Sequence, residues 1–276
     1  AAANFPEMKF QQGIYLQGAP ASCVDAVNQD QIATGIALTN QNANVVTVSV
    51  GNETSFAQNL PITCLASYVQ TVRSQVTKPV TADDDFSFYA GRSAGGYKPD
   101  TVLPLLDFVS IHMYPISNYN AWNWQQTGVL PAGPLRAEAM MNASFANARE
   151  AYDAAANYLY RNAAGATVTI GNSLKIVVGE TGWKAVQSNP ASAIETYAAN
   201  PVNAKWYYDL MLGWEGSAGG PVTVFYFEAF DEAWKGTDDR WGLWDRARAP
   251  RYALCGMYAG APACNADLYQ GAGYYP

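Results

Sequence analysis

Two strand ends of this chain carry the same signature, an apolar run closed by a glycine with a glutamate within the next two residues. The run VVTVSVG (45 to 51) leads into Asn52 and Glu53, and the run LKIVVG (174 to 179) leads into Glu180, Thr181, Gly182 and Trp183. Each acid follows a glycine at the C-terminal end of an apolar strand. Successive side chains of a strand point to opposite faces, so Asn52 and Glu53 share one site only if the strand ends or bulges there. Glycine makes that departure cheap. A strand-end glutamate alone is usually a solvated surface acid, but two at strand ends of the same signature point to chemistry. A pair of carboxyl groups facing each other across a cleft is the minimal machinery for cleaving a glycosidic bond, one as proton donor and the other as nucleophile or base. Carboxyl groups about 5 Å apart retain anomeric configuration, and a gap of roughly 6.5 to 9.5 Å, wide enough for a water, inverts it.

Those acids need elements to hold them. Strand-length apolar runs recur at MKFQQGIYL (8 to 16), VVTVSV (45 to 50), KPVTAD (78 to 83), DFVSIHM (107 to 113), LKIVVG (174 to 179) and VTVFYF (222 to 227). Helical stretches lie between most of them, at 23 to 41, 61 to 76, 135 to 163 and 203 to 214. Such alternation predicts an α/β fold, a parallel sheet wrapped in helices. Near-continuous apolar strands that end in polar residues suit a (β/α)8 TIM barrel, whose chemistry sits on the loops after the strands. A doubly wound sheet would announce a phosphate-binding glycine turn after its first strand, where this chain reads YLQGAPAS. Three βα units separate Glu53 from Glu180, which places them on facing strands of an eight-membered ring. Six strands fall short of eight, and bare strand edges are an aggregation hazard. The reading is therefore one domain over residues 1–276, with two strands missing upstream or irregular.

Of the 276 residues 49% are hydrophobic and 13% aromatic, which excludes disorder and supports a sizeable core. Lys and Arg total 16 against 23 Asp and Glu, and the net charge of -7 argues against nucleic acid or an anionic membrane surface as partner. A neutral partner and a monomer are expected. No apolar run approaches the roughly 20 residues that span a bilayer. No charged-then-apolar leader opens the chain, so any signal peptide is expected to be gone already. Cys23, Cys64, Cys255 and Cys264 lack the C-x-x-C spacing of a zinc site. Of three possible disulfide pairings we favour Cys23 with Cys64, stapling two neighbouring helices, and Cys255 with Cys264, closing a short loop. The alternative is four free buried thiols in a cytosolic protein. Asn142-Ala143-Ser144 is a glycosylation sequon in a polar segment.

The ordered motifs VSVGNE, HMYP, VVGETGWK and FEAFDEAWKG with WGLW resemble the family 17 glycoside hydrolases, the β-1,3-glucanases and glucanosyltransferases of clan A, from about residue 8 to residue 252. The resemblance implies a (β/α)8 barrel, a retaining double displacement, no metal and no cofactor, and β-1,3-glucan polysaccharide or oligosaccharide as substrate. It implies Glu53 as acid/base and Glu180 as nucleophile. Asn52 matches the amide that binds the sugar 2-hydroxyl, Tyr114 the tyrosine near the nucleophile, and Glu232 and Lys235 the acid and lysine after the eighth strand. Residues 8 to 16 then correspond to strand three and 8–252 to strands three to eight, with 253–276 a C-terminal extension. Paired cysteines, low lysine content and many Tyr, Trp and Asn residues fit a secreted protein, extracellular or cell-wall associated.

Aromatic residues crowd these motifs: Tyr114, Tyr119, Trp122 and Trp124, then Trp183, then Trp234, Trp241 and Trp244. Flat rings on cleft loops offer stacking surface to pyranose faces. Trp183 is the first choice for that role, with Trp122 and Trp234 beside it, whereas Tyr119 and Trp244 equally suit loop packing. His112 either lines the barrel mouth or is a satisfied core histidine. Gly91-Arg92-Ser93-Ala94-Gly95 matches the nucleophile elbow of serine esterases, but a base at His112 contradicts the order Ser, acid, His. The acids of TADDDF (81 to 86) could bind calcium or magnesium. Without a second ligand set they read as a solvated loop after a strand, and Asp231 reads as a loop or surface residue.

Overall fold

The structure, a computed structural model, describes residues 2–18, 23–56, 60–118, 134–190, 193–235 and 239–267. Each of the six apolar runs forms a strand of the main sheet. In chain order the strands are β1 (Phe10–Ile14), β2 (Val45–Asn52), β3 (Val80–Asp85), β4 (Phe108–His112), a separate hairpin of β5 (Leu159–Arg161) and β6 (Thr167–Thr169), then β7 (Lys175–Thr181) and β8 (Val224–Tyr226). The main sheet has the order β1-β2-β3-β4-β7-β8, and β1 through β4 pair in parallel. Parallel strands joined through helices are the (β/α) barrel arrangement.

The chain divides into two compact units, Ala1–His112 with Ala151–Gly179, and Met113–Glu150 with Glu180–Pro276. In the first unit, helix α1 (Ala26–Gln41) starts where the Asp25 carboxylate accepts the Asn28 backbone N–H at 2.9 Å. Helix α2 (Ile62–Arg73) buries Leu65, Ala66, Tyr68, Val69 and Val72, one stripe at helical spacing, and ends in an exposed polar turn. The Cys23–Cys64 disulfide ties the approach to α1 to the first turn of α2, and Cys255–Cys264 closes in the second unit. Both pairings are those favoured from the sequence.

Two local readings are corrected. The helix expected through residue 163 spans Pro134–Ala156, and the chain then turns into the β5–β6 hairpin. The reason is a switch of period: Leu159, Tyr160 and Arg161 alternate exposed, buried, exposed, and the Asn162 side chain accepts the Ala164 and Ala166 N–H groups at 3.1 and 3.0 Å to close the turn. The acids of TADDDF are no solvated loop either. They form the C-terminal half of β3, with Asp84 fully buried and Asp83 and Asp85 partly so. The sequon lies within the helix Pro134–Ala156, where the buried Ser144 hydroxyl donates to the Met140 carbonyl at 2.9 Å.

Candidate active site

In the first unit the strands deliver polar residues to their C-terminal ends. Gly51, two residues before Glu53, has φ of 87°, Glu53 itself has φ of 48°, and the β2–β3 register shifts between Ser49 and Asn52. The strand therefore breaks its alternation where Asn52 and Glu53 must depart from it. The Glu53 N–H donates to the Asp83 carbonyl at 2.9 Å, which fixes the turn. The Glu53 carboxylate oxygen Oε1 lies 3.1 Å from His112 Nδ1 at the end of β4, and the imidazole is 1% exposed against 24% for the acid. Asn52 is exposed and pairs in register with Asp83.

Beneath Glu53 lies a layer of polar groups that apolar strands rarely carry. The Gln11 amide donates to both Asp83 oxygens at 3.3 Å, and Thr47 donates to Gln11 at 3.2 Å. Burial pushes the Asp83 carboxyl up from its ordinary value, against His112, Ser110, Ser49 and Gln11, which hold it down. Asp84 accepts the Ser55 N–H at 2.9 Å and the hydroxyls of Ser55 and Thr54 at 2.5 and 3.4 Å, yet burial raises it to about 6. Burial likewise raises Asp85, with the neighbouring Glu53 charge adding to it. This layer also explains the glycine before Glu180. A Cβ at Gly179 would stand 2.1 Å from the Ser110 hydroxyl and 3.3 Å from Asp83 Oδ1.

In the second unit the Met113 N–H donates to the Glu180 carbonyl at 3.0 Å, and this register brings Tyr114 to the acid. The Tyr114 hydroxyl donates to Glu180 Oε1. Its ring packs edge-on against Trp241 at 5.4 Å and Phe227 at 6.1 Å, so the phenol is clamped from behind. The Phe227 N–H donates to the Thr181 carbonyl at 2.6 Å, joining β8 and its loop to the strand that carries Glu180. On that loop Lys235 pairs with Glu232, lies 4.0 Å from Glu228, and covers the Phe227 ring at 4.7 Å.

Several expected residues stand elsewhere than the sequence implied. Trp183 is 1% exposed, donates its indole N–H to the Ala198 carbonyl at 2.8 Å, and packs on Tyr207 at 5.4 Å. A ring so deeply buried is not an open stacking platform for a sugar. Trp234, by contrast, is 77% exposed. Trp122, Tyr119 and Trp124 lie outside the described residues. Asp231 is buried rather than superficial, accepting the Gly242 N–H at 2.9 Å and pairing with Arg251. The GRSAG stretch follows the one-turn helix Phe86–Tyr89 instead of a strand, which is the wrong setting for a nucleophile elbow. Among the described residues no group of three or more His, Cys, Asp or Glu could hold a metal ion. Sequence reasoning missed Gln11 and Asp83. The signal for Asp83 was available, since a polar residue in the C-terminal half of a barrel strand points towards the end where Glu53 sits, whereas Gln11, the second residue of β1, carried no such signal.

Each unit thus carries one strand-end glutamate held by a neighbouring side chain, Glu53 by His112 and Glu180 by Tyr114. The model of the glycosyl hydrolases family 17 matches residues 10–255. The chain belongs to the glycosyl hydrolases family 17. This family 17 chain is 25% identical over 199 residues to a glucan 1,3-beta-glucosidase of Schizosaccharomyces pombe, a match covering 70% of the chain and 51% of that protein. It is 31% identical over 96 residues to a glucan 1,3-beta-glucosidase of Arthroderma benhamiae, covering 30% of the chain and 28% of that protein. It thus spans about half the length of the first relative and less of the second. Among solved structures, an endo-laminarinase from Formosa superposes with a TM-score of 0.69 at 20% identity, over 88% of this chain and 69% of that one. An active-site mutant of the Rhizomucor miehei β-1,3-glucanosyltransferase in complex with laminaritriose superposes with a TM-score of 0.59 at 19% identity, over 91% and 77%. These likenesses show the (β/α)8-type fold.

Proposed function

We propose that this family 17 chain is a retaining glycosidase acting on β-1,3-glucan by double displacement. The observation that carries the proposal is the Tyr114 hydroxyl donated to the Glu180 carboxylate at the end of an apolar strand. A donated hydrogen bond holds the carboxylate in one orientation, which suits a nucleophile. In this reading Glu180 attacks the anomeric carbon while Glu53 gives its proton to the departing glycosidic oxygen. The glycosyl-enzyme ester forms as that C–O bond breaks. Glu53, now ionised, takes a proton from the incoming acceptor, whose oxygen displaces Glu180. Asn52 is assigned to the sugar 2-hydroxyl, Glu232 and Lys235 to hydroxyls of a bound glucosyl unit, and Trp234 to ring stacking.

Water as acceptor makes the enzyme a glucan β-1,3-glucosidase, and a sugar hydroxyl makes it a glucanosyltransferase. The first half of the reaction is common to both. The alternative of a different class is a non-catalytic glucan-binding protein, and the presence of both strand-end glutamates favours the enzyme over it. Two disulfides persist in oxidising compartments, which supports a secreted protein, extracellular or cell-wall associated, meeting its glucan there. Among the described residues no helix is long and apolar enough to cross a membrane.

Incubation with laminari-oligosaccharides followed by chromatography tests the reading. Shorter sugars alone indicate hydrolysis, and products longer than the donor indicate transfer. No product of either kind from the native protein, or full activity in Glu180→Gln, would overturn the proposal.

A further inference from the structure

The last residue of β7, Thr181, directly follows the proposed nucleophile, and its side chain leaves the strand on the face opposite to that of Glu180. Glu180 is half-buried, whereas Thr181 is fully buried. The Thr181 hydroxyl oxygen lies 2.7 Å from that of Tyr207, which is equally buried, and either group can donate. Tyr207 comes from the helix Pro201–Trp214, whose start is fixed by the Asn200 side chain accepting the Val202 N–H at 2.9 Å. Asn203, Ala204, Tyr207, Met211 and Trp214 form one buried stripe at helical spacing, which turns Tyr207 inward. The residues beyond Thr181 are fixed as well. The Trp183 N–H donates to the Tyr226 hydroxyl at 3.2 Å, and the Asn203 amide donates at 3.1 Å to the Ala198 carbonyl that also accepts the Trp183 indole. A Cβ at Gly182 would stand 2.1 Å from the Phe227 carbonyl oxygen, so the chain beyond the strand has no room to shift on that side.

We propose that Tyr207 is a positioning residue, which through its hydrogen bond to Thr181 braces the end of β7 from behind and so holds Glu180 at its working distance from the sugar. This rests on the reading of Glu180 as nucleophile and deepens it. The Tyr114 hydroxyl holds the Glu180 carboxylate by its tip, and the Met113 and Phe227 N–H groups hold the carbonyls of Glu180 and Thr181. Backbone hydrogen bonds of that kind lie in the plane of a sheet. Tyr207 acts on the face opposite to Glu180, along the direction in which a nucleophile must keep its distance. A displacement of about 1 Å at a reacting group costs on the order of a hundredfold in rate. The hydroxyl pair is not needed to fill space. Thr181→Val together with Tyr207→Phe would occupy nearly the same volume, and replacing both partners of a buried hydrogen bond by apolar groups of the same shape is close to neutral for stability. What the two hydroxyls add is a set distance and direction, which apolar contact does not supply.

Attack by Glu180 can be measured apart from the rest of the reaction. The fluoride of 2-deoxy-2-fluoro laminaribiosyl fluoride departs without a proton from Glu53, so the saturating rate at which the sugar attaches to the protein, followed by intact mass, reports the nucleophile. Tyr207→Phe should lower that rate about tenfold, while the concentration giving half the maximal rate changes by less than about twofold. Thr181→Val removes the same bond from the other side, and serves if Tyr207→Phe does not fold. It should lower the rate equally, and the double variant should lower it no further, because all three break one interaction. Thr181→Ser keeps the hydroxyl and should label at close to the native rate, although the loss of a buried methyl lowers its melting temperature. A merely structural role would give the reverse, rates that follow stability. Native labelling by Tyr207→Phe, losses that multiply to about a hundredfold in the double variant, or Thr181→Ser as slow as Thr181→Val overturns the assignment and leaves the glucan reading standing. A native protein that takes up no label overturns the reading of Glu180 on which the assignment rests.

Discussion

His112 Nδ1 lies 3.1 Å from Glu53 Oε1, with the imidazole sealed in the unit behind it. The contact joins the end of β4 to the end of β2 and gives the proposed acid/base a fixed orientation, where Glu53 alone, at positive φ on a strand-end turn, would have little. If Glu53 protonates the leaving group, its importance depends on how badly the leaving group needs that proton. Glu53→Gln should lower kcat/KM on laminarin by roughly 10² to 10⁴, the usual worth of general acid catalysis. His112→Asn should lower it less, by about tenfold. With a 2,4-dinitrophenyl glucoside, whose leaving group departs unaided, the first chemical step should change little in either variant. Equal losses on both substrates, measured by pre-steady-state release of dinitrophenol, would remove the acid role.

The glycine before Glu180 is held there by space. With a Cβ 2.1 Å from the Ser110 hydroxyl, Gly179→Ala must displace β4 or β7. Overpacking of this kind costs about 1 to 3 kcal/mol. Urea denaturation should show a lower midpoint with an unchanged slope. Wild-type stability in the alanine variant would mean that the layer beneath the acids is looser than described.

Buried carboxyls set a pH dependence opposite to that of most proteins. Asp84 is raised from 3.8 to about 6 by burial, so the folded protein holds a proton there that the unfolded chain releases at pH 4 to 6. Stability from this group is full below pH 4 and is lost as pH rises through about 6. The shift corresponds to about 3 kcal/mol. Asp83, Asp85 and Glu228 are raised too and add the same sign. Thermal melts should give a Tm about 5 °C higher at pH 5 than at pH 7.5. Asp84→Asn should flatten that fall. A Tm that rises with pH over this range would contradict the assignment.

The strands were legible because their signal is physical and local. Each of the six runs is a short apolar stretch ended by polar residues, and each became a strand within two or three residues of its expected limits. The disulfides were legible for a related reason, since one loop is short and the other joins adjacent helices. Charge misled where burial overrode it. Asp83, Asp84 and Asp85 look solvated in sequence, yet parallel pairing with Ser110, Ile111 and His112 draws them into the sheet. Trp183 shows the converse. A tryptophan beside a proposed nucleophile reads as a sugar platform, but its position in Glu-Thr-Gly-Trp turns it inward onto Tyr207, and the exposed ring is Trp234. The acids after β8 were ambiguous for a third reason. Three acids in five residues look redundant until side-chain directions separate Asp231, which braces Arg251, from Glu228 and Glu232, which face Lys235.

The central claim is that Glu180 bonds to the sugar. A 2-deoxy-2-fluoro laminaribiosyl fluoride slows both steps and leaves the second slower, so that the ester accumulates. Proteolysis and mass spectrometry of the inactivated protein should then place one fluoroglycosyl group on the peptide that contains Glu180, and none should appear in Glu180→Gln. A label on any other residue, or turnover with inversion at the anomeric carbon, would contradict the account.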